Sequence, residues 1–555
     1  MMSAVEHNSA VTAAAINAVT AEVIGSALSS IVDEMGSMIV RASYSQNIKE
    51  RRDCSAVLFD IKGRTIAQAE HIPLHLGSLL GISEHVLKGV DLDDVRPGDV
   101  FVGNDAYTGG GTHLNDIVFL EPVFHERRIV AWVANVAHHS DFVDRGHEHI
   151  FQEGLRIPPV RLYREYKVQD DLMRLVLLNC QVPHERINDF RAQMAANNLG
   201  IRRYQALCSK YGADIISQAA ESVLDHSESK TRAGIAGIPD GTYEFVESFD
   251  TDLVPEDIEL RVKIVVRGDE IFFDFAGNPP AVRAGINSVY TGLYATVLFA
   301  VKTLVDPAIS ANEGFYRPVH VSAPKGCIVN ASPPAAVYSR TDTLQRVVDM
   351  IFAALAPAIP DKVISASTGP AVLTVSGIHP RTGRYYVYNE SIGGSMGARA
   401  TKDGLDGVQV HTTNTANLPI EALEMEHPLM VEAYELVPDS GGPGLYRGGM
   451  TIHRRLRILD HEAIVSLGGT CNRIPAWGLF GGQPGSLCRV ELGEGVTPLN
   501  RRNGRLTSGQ SIAIVNAAAG GVGDPLTRSR ALVQKDLDEG RISLESARVH
   551  YGYAG

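Results

Sequence analysis

The chain has 555 residues, 44% hydrophobic and 21% charged, which is the balance of a globular protein too long for a single core, so about two to four domains are expected. Its net charge of -13 and its lack of basic tracts argue against general nucleic-acid binding. No basic start followed by an apolar core opens the sequence, and no apolar run reads as long enough to span a membrane, so a cytoplasmic location is expected.

In chain order, residues 1–8 read as a loose arm. Ile16, Val19, Val23, Ile24, Leu28, Ile31, Met35 and Ile39 recur at helical spacing and predict one long helix or two in sequence over 12–44. Residues 55–60 and 65–69 read as strands joined by a turn at Lys62-Gly63. The next stretch, EHIPLHLG, offers Glu70, His71 and His75 as pocket or metal candidates, and Glu50 and Asp53 are further ones. Residues 78–90 read as a helix, and 100–102 as a strand that delivers the densest group of metal-ligating side chains in the chain.

That group spans residues 103–142. His113 and Asp116 form an H-x-x-D pair, followed by an apolar run at 117–124, a polar turn at 125–128 and a second apolar run at 129–137 that ends in His138-His139. Two apolar runs around a polar turn predict a β-hairpin, which returns the chain to the end it started from. With the turn centred near Glu126, Asp116 lies opposite Val136 and shares a face with His138, whereas a one-residue slip selects His139 instead. Two imidazoles and a carboxylate suit Zn²⁺, Mn²⁺ or Fe²⁺ in a catalytic rather than a structural site. The plainer alternative is a turn at His113 and a strand that simply ends at His138-His139. The run Gly109-Gly110-Gly111 would let backbone approach a ligand closely.

Residues 144–159, with His147, Glu148, His149 and Glu153, read as a loop near the same sheet end. Helices are predicted over 172–180, 185–211 (interrupted at Gly200) and 213–226. The second carries Asp189, Gln193, Asn197 and Asn198. A boundary is placed near 233–241, where Gly and Pro cluster. Residues 241–249 and 258–275 alternate as antiparallel strands about a turn at Arg267-Gly268-Asp269. Helices follow over 288–305 and 343–355, the latter with Arg340 and Asp342 near its start. Residues 362–555 mix strands with glycine-rich loops and close on an amphipathic helix pair at 532–551. Gly520-Gly521-Val522-Gly523 lacks the G-K-[ST] of a phosphate loop and reads as a tight turn. The six cysteines form no C-x-x-C pair and read as reduced structural thiols.

The expected class is a mixed α/β (α+β) multi-domain fold. It comprises an N-terminal metal-site domain with a β-hairpin edge (1–235), a central domain of antiparallel sheet plus helices (236–430), and a Gly-rich C-terminal strand region with terminal helices (431–555).

Several short segments recur together in one order: KERRD at 49–53, HIPLHLG at 71–77, GND at 103–105, GTHLND at 111–116, AHHSD at 137–141, EGLRIPP at 153–159, NEGFYRP at 312–318, GDP at 523–525 and YG at 551–552. In these the chain resembles, over almost its whole length, the hydantoinase B / 5-oxoprolinase family, which also holds subunits of ATP-dependent acetone and acetophenone carboxylases. The resemblance implies one subunit of an ATP-dependent enzyme whose separate hydantoinase A-type subunit binds ATP and phosphorylates the substrate carbonyl oxygen. It also implies His113, Asp116 and His138 as ligands of a divalent metal (Zn, Mn or Fe). The activity expected is opening of a hydantoin, oxoproline or lactam ring, with metal-bound hydroxide attacking the activated carbon. Asp141, Glu153 and His75 are the candidate proton carriers, and His139 is expected to orient the site from behind. The alternatives are a ketone carboxylase subunit and a non-catalytic scaffold for the ATP-binding subunit.

Overall fold

The computed structural model describes residues 16–69, 71–109, 111–496 and 503–554. The expected arm at 1–8, Glu70 and Gly110 lie outside the described residues.

The first unit begins with helix α1 (Ala18–Ala42), whose Asn17 side chain caps the first turn by accepting from the Thr20 N–H at 2.8 Å. Its length and composition would allow it to cross a membrane, contrary to the expectation that no run is long enough. Yet its apolar stripe of Ile24, Leu28, Ile31, Met35 and Ile39 is buried against the rest of the unit. After the short α2 (Gln46–Lys49), strands β1 (Cys54–Phe59) and β2 (Thr65–Ala69) lead into α3 (His75–Gly89). Strands β3 (Val100–Gly103), β4 (Asp116–His125), β5 (Arg128–His138), β6 (Val160–Arg164) and β7 (Lys167–Val168) complete a seven-stranded sheet, ordered β2-β1-β5-β4-β3-β6-β7. The β4–β5 hairpin therefore sits in the middle of the sheet, and its open end forms the floor of the site described below.

Helices cover both faces, so β1 and most of β4 and β5 are buried on both sides. Val57, Phe59, Val118, Leu120, Ala134 and Val136 face α3, whereas Ala56, Leu58, Ala131 and Val133 face α1. Behind the sheet run α4 (Asp170–Leu178), α5 (Pro183–Tyr211) and α6 (Ala213–Ala236). The predicted break at Gly200 is absent: α5 continues through it. Gly200 is there for a close helix crossing, since a Cβ would lie 2.4 Å from Met35 Sδ of α1. Likewise α6 runs past residue 233 to Ala236. Of the polar residues singled out on α5, Asp189, Gln193 and Asn197 are buried, whereas Asn198 is exposed. Gln193 and Asn197 bond Asn135 of β5, and Gln193 also donates to the Ile117 carbonyl at 2.9 Å.

The second unit is a four-stranded sheet of β8 (Gly241–Phe249), β9 (Ile258–Arg267), β10 (Glu270–Asp274) and β11 (Val319–Ser322), with β11 parallel to β10. It packs with α7 (Tyr290–Val305), α8 (Glu313–Tyr316) and α9 (Thr341–Leu355), and α9 is buried from Asp342 to Leu355. Strands β12 (Ala371–Ile378), β13 (Tyr385–Ile392), β14 (Leu429–Leu436), β15 (Ile452–Ile458), β16 (Ala463–Gly468), β17 (Arg489–Leu492), β18 (Asn503–Leu506) and β19 (Ser511–Val515) build two further sheets. Their orders are β13-β12-β16-β18 and β14-β15-β19-β17. The glycine-rich loops between them stack backbone on backbone. Gly442 N–H donates to the Ala519 carbonyl at 2.8 Å, and a Cβ on Gly521 would meet the Pro443 carbonyl at 2.3 Å. The terminal helices are Arg530–Asp538 and Leu544–Tyr551.

Candidate metal centre

The hairpin turn is at Glu126-Arg127, both left-handed (φ 47° and 67°), and a bulge follows at Val123/Phe124. Asp116 consequently pairs with His138, two residues from the expected partner Val136. The turn centre and the bulge each contribute one residue, so the parity of the pairing is unchanged. Asp116 and His138 still share a face, the one under α3, while His139 points to the other side.

Three donor atoms meet there. His113 Nε2 lies 2.8 Å from Asp116 Oδ1, and His138 Nδ1 lies 3.2 Å from both. They are the one group of three or more His, Cys, Asp or Glu side chains suited to a cation among the described residues. Asp53 and Ser55 at the start of β1 share this face. His75, in the first turn of α3, comes down onto it, with Nε2 at 3.4 Å from Asp53 Oδ1 and 3.8 Å from Asp116 Oδ1 and Nδ1 at 3.1 Å from Ser55 Oγ. Arg340 closes the opposite side, donating to Asp116 Oδ2 at 3.1 Å and to Thr112 Oγ1 at 2.7 Å. The cavity over these groups is about 70 Å³, and Tyr338, Asn389 and Thr413 complete its wall.

Burial sets the charge states. The His113 imidazole is pushed down to about 3 by desolvation and by the neighbouring Arg340 cation. His75 is lowered by burial as well, against the pull of Asp116 and Asp53. Burial alone would raise the Asp116 carboxyl, but the imidazoles around it hold it well below the usual range. A neutral His113 beside an ionised Asp116 carboxylate is the protonation pattern a divalent cation requires, and Asp116 Oδ1 is left for it because Oδ2 is engaged by Arg340. The donor set fits the implied metal.

The other sequence candidates lie elsewhere. Asp141 is ion-paired with Arg186 and accepts from the Gln181 N–H at 3.0 Å. Glu153 Oε1 accepts from Val337 and Tyr338 N–H at 2.7 and 2.8 Å, and burial pushes its carboxyl up to about 7. Both line a second cavity on the far side of β4. His139 Nε2 meets Gln193 Oε1 at 3.0 Å, behind the sheet. His71 lines a third, larger cavity, and neither Glu50, His147 nor His149 lines the cavity over Asp116.

Sequence reasoning noted Arg340 but gave it no role at the site. The signal was present: a cation at the cap of α9 opposes the helix macrodipole, and such a broken local rule marks a residue held for another purpose. Here that purpose is the Asp116 carboxylate.

The sequence matches the family model described as Hydantoinase B/oxoprolinase over residues 17–525, and the chain belongs to that family. It is 36% identical over 547 residues to an uncharacterised protein of Methanocaldococcus jannaschii, covering 96% of this chain and 95% of that one. It is 30% identical over 562 residues to caprolactamase subunit beta of Pseudomonas jessenii, covering 97% and 96%. The crystal structure of the ATP-dependent caprolactamase from that organism superposes with a TM-score of 0.87 at 27% identity, over 97% of this chain and 96% of that chain. Nucleotide-free acetone carboxylase superposes with a TM-score of 0.86 over 96% of this chain and 79% of that chain, at 18% identity, a likeness of fold alone.

Proposed function

We propose that this chain is the hydrolytic subunit of an ATP-dependent cyclic amide hydrolase, acting on a hydantoin, oxoproline or lactam whose carbonyl oxygen an A-type partner subunit has phosphorylated. The observation that carries the reading is the convergence of His113, Asp116 and His138 on one point, with His75 beside them. The relative named a caprolactamase subunit, similar along nearly its full length, supports the substrate class.

His113, Asp116 and His138 would hold the divalent cation, which when bound would polarise a carbonyl or acidify a water. Arg340, with Thr112 and Asp116 fixing its guanidinium, places a positive charge on the cavity wall for the phosphorylated oxygen. Phosphorylation removes the amide resonance, so water adds to the activated carbon. His75, oriented by Ser55 and Asp53, takes the proton from that water and returns it to the ring nitrogen as the C–N bond breaks. The acyl phosphate that remains is hydrolysed to a carboxylate and phosphate. Among the three candidate proton carriers, His75 alone lines this cavity.

The test is metal content and ATP-dependent turnover of the complex with its A-type partner, on a panel of hydantoins and lactams with and without bicarbonate, for the wild type and His113→Ala. Ring opening without bicarbonate, lost together with the metal in the variant, is the expected result. Strict dependence on bicarbonate would make it a ketone carboxylase subunit. Full turnover by a metal-free variant would leave it a scaffold.

A further inference from the structure

A cavity larger than the one over Asp116, a chamber of about 340 Å³, lies behind the segment that carries His75. Its walls are mostly apolar, from Leu76, Leu298, Phe299, Phe315, Met396 and Val410. That volume and lining are those of a pocket for a small organic molecule.

The chamber and the cavity over Asp116 share a wall. Pro73 and Leu76 line the chamber, His75 between them lines the smaller cavity, and Thr413 lines both. The wall is pinned: the Leu74 N–H donates to the Thr412 carbonyl at 3.2 Å, and Gln345 Nε2 donates to Val410 O and Thr413 Oγ1 at 3.1 and 3.0 Å.

One polar group of the chamber is built with unusual care. His411 lies in the left-handed region (φ 53°), uncommon for a non-glycine residue though one that histidine enters more readily than most. Its Nε2 meets Asp349 Oδ1 at 2.9 Å, and both side chains are buried. Asp349 is itself anchored by Arg346 at 2.7 Å and by the Ser367 N–H at 3.0 Å. Phe299 and Phe352 flank the ring edge-on. The carboxylate fixes the imidazole by Nε2, which leaves Nδ1 as the ring nitrogen for a ligand.

We infer that this chamber receives the carbon skeleton of the substrate, a cyclic amide with an apolar ring or apolar ring substituent, and that His411 is the hydrogen-bonding residue that positions it against the shared wall. The inference rests on the hydrolase reading for the identity of the ligand, but not for the location of the pocket.

Two variants test it in the assembled complex, with unsubstituted hydantoin and 5-isopropylhydantoin as probes. Ala311→Phe fills the chamber from a half-buried loop position, and Phe299→Ala enlarges it. With Ala311→Phe, kcat/KM for 5-isopropylhydantoin should fall at least tenfold further than for unsubstituted hydantoin, mainly through KM. With Phe299→Ala the preference should move toward bulkier substituents. Parallel changes on both probes would overturn the inference. Calorimetric binding of 5-isopropylhydantoin to the chain itself separates this outcome from failure of the functional reading. If the wild-type complex opens no ring, binding that is weakened at least tenfold by Ala311→Phe still supports the chamber. Binding unaffected by either variant, or no binding, sinks it.

Discussion

Two small polar cavities lie on opposite faces of the start of β4, and they use the same residue types in opposite ways. Asp116 and His113 line the one under α3, of about 70 Å³, while Asn115 and Ile117 line the other, of about 50 Å³, together with Asp141 and Glu153. In the second cavity Asp141 is spent on the buried Arg186, and Glu153 accepts from two backbone N–H groups through Oε1 alone, its buried Oε2 being without a hydrogen-bond partner. In the first, two imidazole nitrogens and a carboxylate oxygen point at one another and at the same small space. A lone cation, Arg340, balances the carboxylate from outside that triangle. The contrast shows that residue type does not mark a reactive group. What marks it is which side chains converge on it.

The comparison breaks most visibly at His75. His75→Gln keeps a hydrogen-bonding group of similar reach but removes the proton carrier. Turnover of the assembled complex should fall by about 10²–10⁴ with bound metal unchanged. Loss of metal along with turnover would instead make His75 a fourth ligand. On the far side of β4, Asp141→Asn should cost stability and leave metal content intact. Arg186 is 3% exposed and would lose its counter-charge, at a cost of about 3 kcal/mol, measured by denaturant unfolding. A metal-depleted but fully stable Asp141→Asn protein would show that the two cavities are not separate in role.

Much of this was legible in the sequence, for reasons that also explain what was not. Alternation along a strand fixes which side chains share a face, so Asp116 and His138 were paired on one face even though the register was two residues off. The bulge at Val123/Phe124 has no sequence mark, because a one-residue insertion leaves the apolar pattern intact. Gly200 was misread because glycine breaks a helix by propensity yet permits a close crossing with Met35, and only the packing tells which applies. The roles of Asp141 and Glu153 depended on Arg186 and on the N–H groups of Val337 and Tyr338, partners distant in sequence that no spacing rule reaches. Arg340 reached Asp116 across 224 positions. The resemblance named His113, Asp116 and His138, and the sequence offered His75 as one of several candidates, but the Arg340 counter-charge came from topology.

The smallest effect is expected at Glu153, and it sharpens the contrast through pH. Burial pushes its carboxyl up to about 7 from an ordinary 4.5, so the folded protein holds a proton that the unfolded chain has released. Stability from this group is therefore complete below about pH 4.5 and is lost as pH rises toward 7, where the folded state must ionise too. Glu153→Gln keeps the oxygen that accepts from Val337 and Tyr338 and removes the ionisation. The variant should match wild type near pH 4.5 and exceed it by on the order of 1 kcal/mol at pH 8, read as the difference between two denaturant series. Identical pH slopes would mean that Glu153 is not protonated in the fold. Turnover that collapsed in the variant while stability rose would move the proton carrier from His75 to the far side of β4.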